Sequence, residues 1–168
     1  MKTTLIFAAL TLFGPSQVFA IDLAYKPLWL YQGTWTATKR SPLSESTTKQ
    51  VVSNECAVAG RFFTCQQRVD GKIGSLIIFI PAASPGNYYT QAVLPEGWAT
   101  GRGELHIEGE RWTYSSKGTE DAKTTYYRTT NLFSGKDHIH FEQAESPDGQ
   151  NWTVTASGDE VRTSKAHR

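Results

Sequence analysis

The sequence has almost no net charge and few residues with special chemistry. Its 17 Lys and Arg nearly balance 16 Asp and Glu, which gives a formal net charge of +1. No basic run favours binding to nucleic acid or to an anionic membrane surface. After residue 20, no apolar stretch approaches the ~20 residues that a membrane-spanning helix needs. We therefore expect no nucleic-acid partner and no integral membrane segment in residues 21–168.

Recognisable catalytic motifs are also missing. The sequence contains no G-x-S-x-G nucleophile elbow, no H-E-x-x-H zinc motif and no glycine-rich phosphate loop. It has no C-x-x-C-H motif for haem attachment. No pair of carboxylates stands in a motif that would assign acid and base roles. We therefore assign no catalytic residues and no cofactor, and we favour a binding protein over an enzyme.

Residues 1–20 have the pattern of a secretory signal peptide. Lys2 precedes the apolar run Leu5–Phe13, and Val18-Phe19-Ala20 resembles a small-residue cleavage site. The remaining chain, residues 21–168, has the length of one domain with a real core. We expect an exported protein, located in the periplasm or secreted.

The two cysteines, Cys56 and Cys65, are predicted to form a disulfide, as exported proteins allow. A two-residue turn at Gly60-Arg61, with glycine first, suits a type II′ hairpin. Counting outwards from this turn places Cys56 opposite Cys65 at a non-hydrogen-bonded pair, where a disulfide fits. The spacing matches neither a C-x-x-C redox motif nor a zinc finger.

Strand-like runs separated by Gly, Pro and Asp fill the rest of the chain, and this pattern is typical of a sandwich or barrel. These runs are Trp29–Lys39, Thr48–Ala57, Phe62–Val69, Ile73–Ile80, Tyr88–Val93, Gly103–Glu108, Arg111–Ser116, Thr124–Phe133, His138–Glu145, Trp152–Ser157 and Glu160–Thr163. The only helical candidate is a turn near Tyr25–Leu30. Short connections favour a single all-β, antiparallel, up-and-down barrel of about 8–10 strands. The run Leu76–Ile80 is apolar on both faces, so we expect it to be covered on both sides or to pack against something outside.

Gly33-Thr34-Trp35, on the first predicted strand, resembles the opening of the calycin barrels, which are the lipocalins, fatty-acid-binding proteins and nitrobindins. The whole of residues 21–168 also resembles small exported bacterial proteins with lipocalin-like barrels. This resemblance implies that Trp35 plugs one end of a barrel. It also implies that a basic residue of the last strand, here Arg162, packs across the indole, which is a cation–π contact.

A barrel of this size can enclose a small apolar or amphipathic ligand. Aromatic side chains beside Arg and Thr can provide the apolar walls and the few polar groups of a small-molecule pocket. The same residue types also fill barrel cores that bind no ligand. Our candidate ligand-binding residues are Tyr89, Trp112, Tyr114, Tyr126 and Arg128. We predict a non-catalytic binding or carrier protein. A filled barrel acting as a structural or interaction module is an alternative.

The stretch DHIHFE offers a second alternative, a metal- or haem-binding protein that could be an enzyme. On a strand, His138, His140 and Glu142 point to one side and could hold zinc, or one His could bind haem. However, Ile139 and Phe141 occupy the opposite face of the same strand. If this apolar pair takes the inside of a barrel, the histidines face water.

Overall fold

The chain folds into a single closed sheet. The computed structural model describes residues 23–42, 44 and 46–164, so the predicted signal peptide, residues 1–20, lies outside the described residues. Within them a short 3₁₀ helix, Pro27–Tyr31, is followed by ten strands. These are β1 (Gly33–Ser41), β2 (Ser46–Ala59), β3 (Phe62–Val69), β4 (Lys72–Pro81), β5 (Asn87–Val93), β6 (Gly103–Glu108), β7 (Arg111–Glu120), β8 (Lys123–Ser134), β9 (His138–Ser146) and β10 (Thr153–Ser164).

Each strand pairs in antiparallel fashion with the next one along the chain, and β10 returns to pair with β1. The prediction of an all-β, up-and-down barrel is therefore confirmed. Closure leaves no strand edge of the barrel unpaired, because β1 is hydrogen-bonded to both β2 and β10.

The sequence interpretation divided the last strand wrongly. Residues 152–157 and 160–163 were expected to be two strands with a turn at Gly158-Asp159, but residues 153–164 form the single strand β10. Gly158 lies where β1 and β9 approach closely: a Cβ atom there would overlap the carbonyl oxygen of Thr38 and lie 2.9 Å from the ring of Phe141. Gly158 therefore marks a close backbone contact and not a turn.

Two other boundaries differ from expectation. The first strand begins at Gly33 and not at Trp29, because residues 27–31 form the 3₁₀ helix, near the predicted helical turn. Strands β7 and β8 extend to a turn at Asp121-Ala122 that the sequence did not reveal, and both of its residues have positive φ (48° and 61°).

The predicted hairpin disulfide is present. Cys56 and Cys65 are opposite each other in the β2–β3 register, with Cα atoms 4.0 Å apart, and their sulfurs are bonded. Gly60 has a φ of 62°, as the first central residue of a type II′ turn requires. The cross-link therefore follows from the local geometry of the hairpin.

The run Leu76–Ile80 is covered on one face only. Phe79 is buried inside the barrel and Ile77 is partly buried against the core, whereas Leu76 and Ile80 each remain 39% exposed on the outer face. The expected outer covering is absent among the described residues.

The N-terminal segment closes one end of the barrel. Leu28 of the 3₁₀ helix and the preceding Tyr25 are almost fully buried. The Tyr25 ring lies 5.6 Å from that of Phe63, and its hydroxyl donates a hydrogen bond to the carbonyl of Arg61. This end of the barrel, called here the plug, is a packed aromatic core, whose other buried members include Trp35, Phe79, Tyr88, Leu105, Trp112, Phe133 and Ile139.

Arg162 fastens the plug to the final strand. Its guanidinium carbon lies 4.0 Å from the centre of the Trp35 ring. Its nitrogens donate to the carbonyl oxygens of Leu30 (2.7 Å), Gln32 and Lys136 (3.0 Å), so one side chain joins the 3₁₀ helix, the residue that follows it and the β8–β9 turn. The arrangement has the form that the calycin resemblance implies.

Candidate functional site: the barrel lumen

The space above the plug is a lumen of two adjoining chambers. One, called here the polar chamber, has a volume of about 460 Å³ and the other, the second chamber, about 450 Å³. Both chambers are bordered by Ile77, Tyr114 and Thr129. Each volume is within the usual range for small-molecule pockets, about 300–1,000 Å³.

The two chambers differ in the chemistry of their walls. Apolar side chains of the second chamber include Ile77, Ala92 and Leu94, and the ring of Tyr127 also lines it. The polar chamber takes its side chains mainly from β1, β2, β3, β8, β9 and β10. Its polar lining consists of Tyr31, Lys39, Gln50, Asn54, Gln67, Tyr114, Thr129, Asn131, Gln143 and Glu160.

A hydrogen-bonded cluster lies where the polar chamber meets the plug. The Asn131 amide donates to the Tyr31 hydroxyl at 2.6 Å. The Tyr31 ring packs edge-on against Trp112, with centroids 5.0 Å apart, and lies 6.3 Å from the ring of Tyr114. Burial raises the pKa of both tyrosines well above its ordinary value, so both hydroxyls stay neutral at physiological pH.

Glu160 is an acidic side chain inside the barrel. It lies on β10 opposite Ala37 of β1 and Ile139 of β9, which are both buried, so its side chain points inwards. Burial raises the pKa of its carboxyl. Its negative charge also adds to the raised pKa of Tyr31 and Tyr114, which means that the carboxyl acts on both hydroxyls across the chamber.

On β2 and β3, polar side chains of the chamber wall are tied to one another and to the 3₁₀ helix. Gln67 donates to the Asn54 side chain at 3.3 Å, and Asn54 donates to the Tyr31 carbonyl at 3.3 Å. These bonds fix the amide groups in place before any ligand arrives, which lowers the entropy lost on binding.

The five candidate ligand residues separate into different environments. Tyr114 lines both chambers. Trp112 is buried in the plug core, 4.6 Å from the Phe133 ring. Tyr89 is on the outer face, where the Arg102 guanidinium lies 4.4 Å from its ring. The structure therefore brings one of these three to the lumen.

The other two, Tyr126 and Arg128, also lie on the outer face, beneath the β9–β10 loop. Arg128 stacks on Trp152 at 4.2 Å, and Gly149 packs against the Tyr126 ring. Asp148 holds this loop together: hydrogen bonds from the amides of Asn151 and Gln150 keep the pKa of its carboxyl well below the usual range. On β8 the lumen therefore receives the alternate set, residues 127, 129 and 131.

The candidate metal ligands lie outside the barrel. Ile139 and Phe141 are buried inside, so His138, His140 and Glu142 face outwards. Both imidazoles approach one oxygen of Asp159, at 3.3 Å for His138 and 3.1 Å for His140. Among the described residues, no group of three or more His, Cys, Asp or Glu side chains is arranged to hold a metal ion.

Sequence reasoning missed the residues that give the lumen its character. Tyr31 enters from the 3₁₀ helix and not from the strand predicted there. Glu160 was placed in a separate strand after a supposed turn, so its inward direction was not apparent. Parity is the signal that could have found Glu160, because Glu160 is two residues before Arg162 and alternate residues of a strand share a face. No comparable signal marks Tyr31, which is not on a strand.

Solved structures with the same architecture place the protein among known barrels. The crystal structure of Rv2717c from M. tuberculosis matches with a TM-score of 0.53 and 17% identity, covering 84% of this chain and 98% of that one. The S-type phycobiliprotein lyase CPES from Guillardia theta matches with a TM-score of 0.55 and 10% identity, covering 91% and 100%. These likenesses agree with the closed, antiparallel, up-and-down barrel of ten strands. At such low identities the likeness concerns the fold alone. No protein-family model and no curated protein sequence matches the chain.

None of the helices in the described residues is long and apolar enough to cross a membrane.

Proposed function

We propose that this protein is an exported carrier that binds a small, partly apolar molecule inside the barrel and performs no catalysis. The observation that supports this best is the lumen itself: two chambers that share walls, one rich in polar side chains and the other more apolar. A filled barrel with a structural role would not need this space. The Cys56–Cys65 disulfide agrees with an oxidising, extracytoplasmic location.

Binding would be driven by burial of the apolar part of the ligand. Each buried CH₂ group contributes about 0.8 kcal/mol, so a chain of eight carbons gains roughly 6 kcal/mol before the cost of association is subtracted. Polar groups at the Tyr31–Asn131 cluster then orient the ligand, because a partner that leaves them unsatisfied loses affinity.

Native mass spectrometry with metal analysis, on protein exported to a bacterial periplasm, tests this proposal. We expect a small molecule that remains bound in the native spectrum and leaves on denaturation. Stoichiometric metal or haem that is lost in His138→Ala and His140→Ala would instead favour the metal-binding alternative.

A matched pair of variants then locates the bound molecule. Thr129→Trp fills the boundary of the two chambers, whereas Thr130→Trp adds the same bulk to the outer face of the same strand. Loss of the ligand in Thr129→Trp alone supports binding in the lumen. Equal retention in both variants would contradict it.

A further inference from the structure

We propose that the lumen selects amphipathic molecules with a cationic, ammonium-type head group, with the Glu160 carboxylate as the ion-pair partner and the second chamber holding the apolar part. This inference rests on the proposed function, since it names the class of ligand that the lumen takes.

Glu160 is placed to receive a head group from the lumen. It borders the polar chamber together with Tyr31, Tyr114 and Asn131, on the side of the chamber that meets the plug. Tyr114 also borders the second chamber, so a molecule with its charge at Glu160 has a direct path for its apolar end.

The carboxylate of Glu160 lacks a protein partner. Among the described residues, no hydrogen bond and no ion pair within 4.0 Å reaches it, and burial raises its pKa. The two other charged side chains near it on β10 are satisfied: Asp159 contacts His138 and His140, and Arg162 contacts Asp137 at 3.0 Å. Burial penalises the charged form of an inward carboxylate that has no protein partner, and a ligand cation would supply that partner.

The surrounding groups favour a cation over an anion. The hydroxyl of Tyr31 and the side-chain oxygen of Asn131 are neutral acceptors that can share the protons of an ammonium group. A carboxylate head at the same place would face Glu160 at short range, and like charges in such a site repel.

Lys39 is the cation of the polar chamber that could compete with a ligand. It lies on β1 opposite Gly158, two register pairs beyond Ala37 and Glu160 and further from Trp35. It makes no ion pair with Glu160 within 4.0 Å. Lys39 therefore leaves the Glu160 carboxylate free to pair with a ligand cation. A cationic head group is repelled from the part of the wall where Lys39 lies.

Binding should depend on pH in a defined direction. The titratable groups that line the polar chamber with Glu160 are Tyr31 from the 3₁₀ helix, Tyr114 from β7 and Lys39 from β1. From β9 only uncharged side chains lie nearby: Ile139 is opposite Glu160, and Phe141 and Gln143 line the chamber. The two tyrosines stay neutral near neutral pH, because burial raises the pKa of both hydroxyls. Affinity for a cation should therefore fall as acidification protonates Glu160, at a pH above the ordinary range of a glutamate because burial raises its pKa.

The test is isothermal titration calorimetry of the intact protein with three probes of equal chain length: octylamine, octanol and octanoate. We expect octylamine to bind about tenfold or more tightly than octanol, the factor that one charge-assisted hydrogen bond provides, and octanoate to bind most weakly. Glu160→Gln should abolish the preference for the amine and leave the affinity for octanol unchanged. Glu104→Gln, which removes the same charge from the exposed outer face, is the matched control and should keep the preference.

Failure of this inference can be separated from failure of the proposed function. If octanol and octanoate bind but octylamine has no advantage, or if the advantage survives in Glu160→Gln, the lumen binds ligands but Glu160 does not select cations. An amine preference that appears only in Lys39→Gln would mean that Lys39 neutralises Glu160 in solution, and this too overturns the inference. If none of the three probes binds, the proposed function fails with it.

Discussion

Removing the Arg162 side chain should loosen the closed end of the barrel. The side chain is 8% exposed, and it donates to three carbonyl oxygens while covering the Trp35 ring. Its partner Asp137 is 61% exposed, so the ion pair itself is screened by water and adds less than about 1 kcal/mol. The larger contributions are the charge-assisted hydrogen bonds, about 1.5–3 kcal/mol each, and the cation–π contact, about 0.5–2 kcal/mol.

These contributions do not add fully, because the same carbonyls can recruit water once Arg162 is gone. We therefore expect Arg162→Met to lower the free energy of unfolding by about 3–5 kcal/mol, which is less than the sum of three charge-assisted hydrogen bonds and one cation–π contact. For a domain of this size the melting temperature should fall by roughly 10 °C. Arg162→Lys should recover only part of the loss, because one ammonium group cannot reach three carbonyls in different directions.

Urea denaturation followed by tryptophan fluorescence measures this effect. The control is Arg102→Met: Arg102 also stacks on an aromatic ring, that of Tyr89 at 4.4 Å, but it is exposed and lies on the outer face. We expect the control to change the unfolding free energy by less than about 1 kcal/mol. If Arg162→Met and Arg102→Met behaved alike, the reasoning that Arg162 fastens the plug would be refuted.

Three further predictions concern other parts of the barrel. Gly158→Ala should cost about 3 kcal/mol or more in unfolding free energy, because its methyl group would overlap the Thr38 carbonyl; a near-neutral effect in urea denaturation would contradict the close contact. Replacing Cys56 and Cys65 together by serine should cost about 2–3 kcal/mol, as expected for a short closed loop, and reduced wild type should behave like this variant in thermal melts. Because burial raises the pKa of Glu160 above its unfolded value, its stabilising contribution is complete at low pH and is lost as pH rises through the folded pKa. Glu160→Gln should therefore gain stability relative to wild type between acidic and neutral pH, and a constant difference across that range would show that Glu160 is not buried as described.

The fold could be predicted well because local signals and closure agree. Three signals depend on neighbouring residues alone: the alternation of apolar and polar residues on the strands, the turn residues between strands, and the spacing of the cysteines. The inward face of β9 was also predictable in principle, because Ile139 and Phe141 are apolar and the residues that alternate with them are polar. No such contrast in polarity marks β8. One face carries Tyr126 and Arg128 and the other Tyr127 and Asn131, so each face has one tyrosine and a polar side chain.

Predicting which residues line the lumen requires information that is not local in the sequence. The β9–β10 loop folds over the outer face of β8 and covers Tyr126 with its own residues, so burial there does not indicate the inside of the barrel. Tyr31 reaches Asn131 across a sequence separation of 100 residues. Contacts of this kind follow from closure of the whole sheet, and no single segment of the sequence encodes them.

The pairing of β1 with β10 has a consequence for the order of events in folding. The bond from Arg162 to Gln32 spans 130 residues, so the first strand has no partner on one side until the last strand has been synthesised. Neighbouring hairpins can form early, but the ring cannot be completed until β10 is free to pair with β1. Such long-range contacts make folding slow, on the scale of milliseconds to seconds. During that interval the unpaired strands at both ends of the growing sheet are exposed to association with other chains.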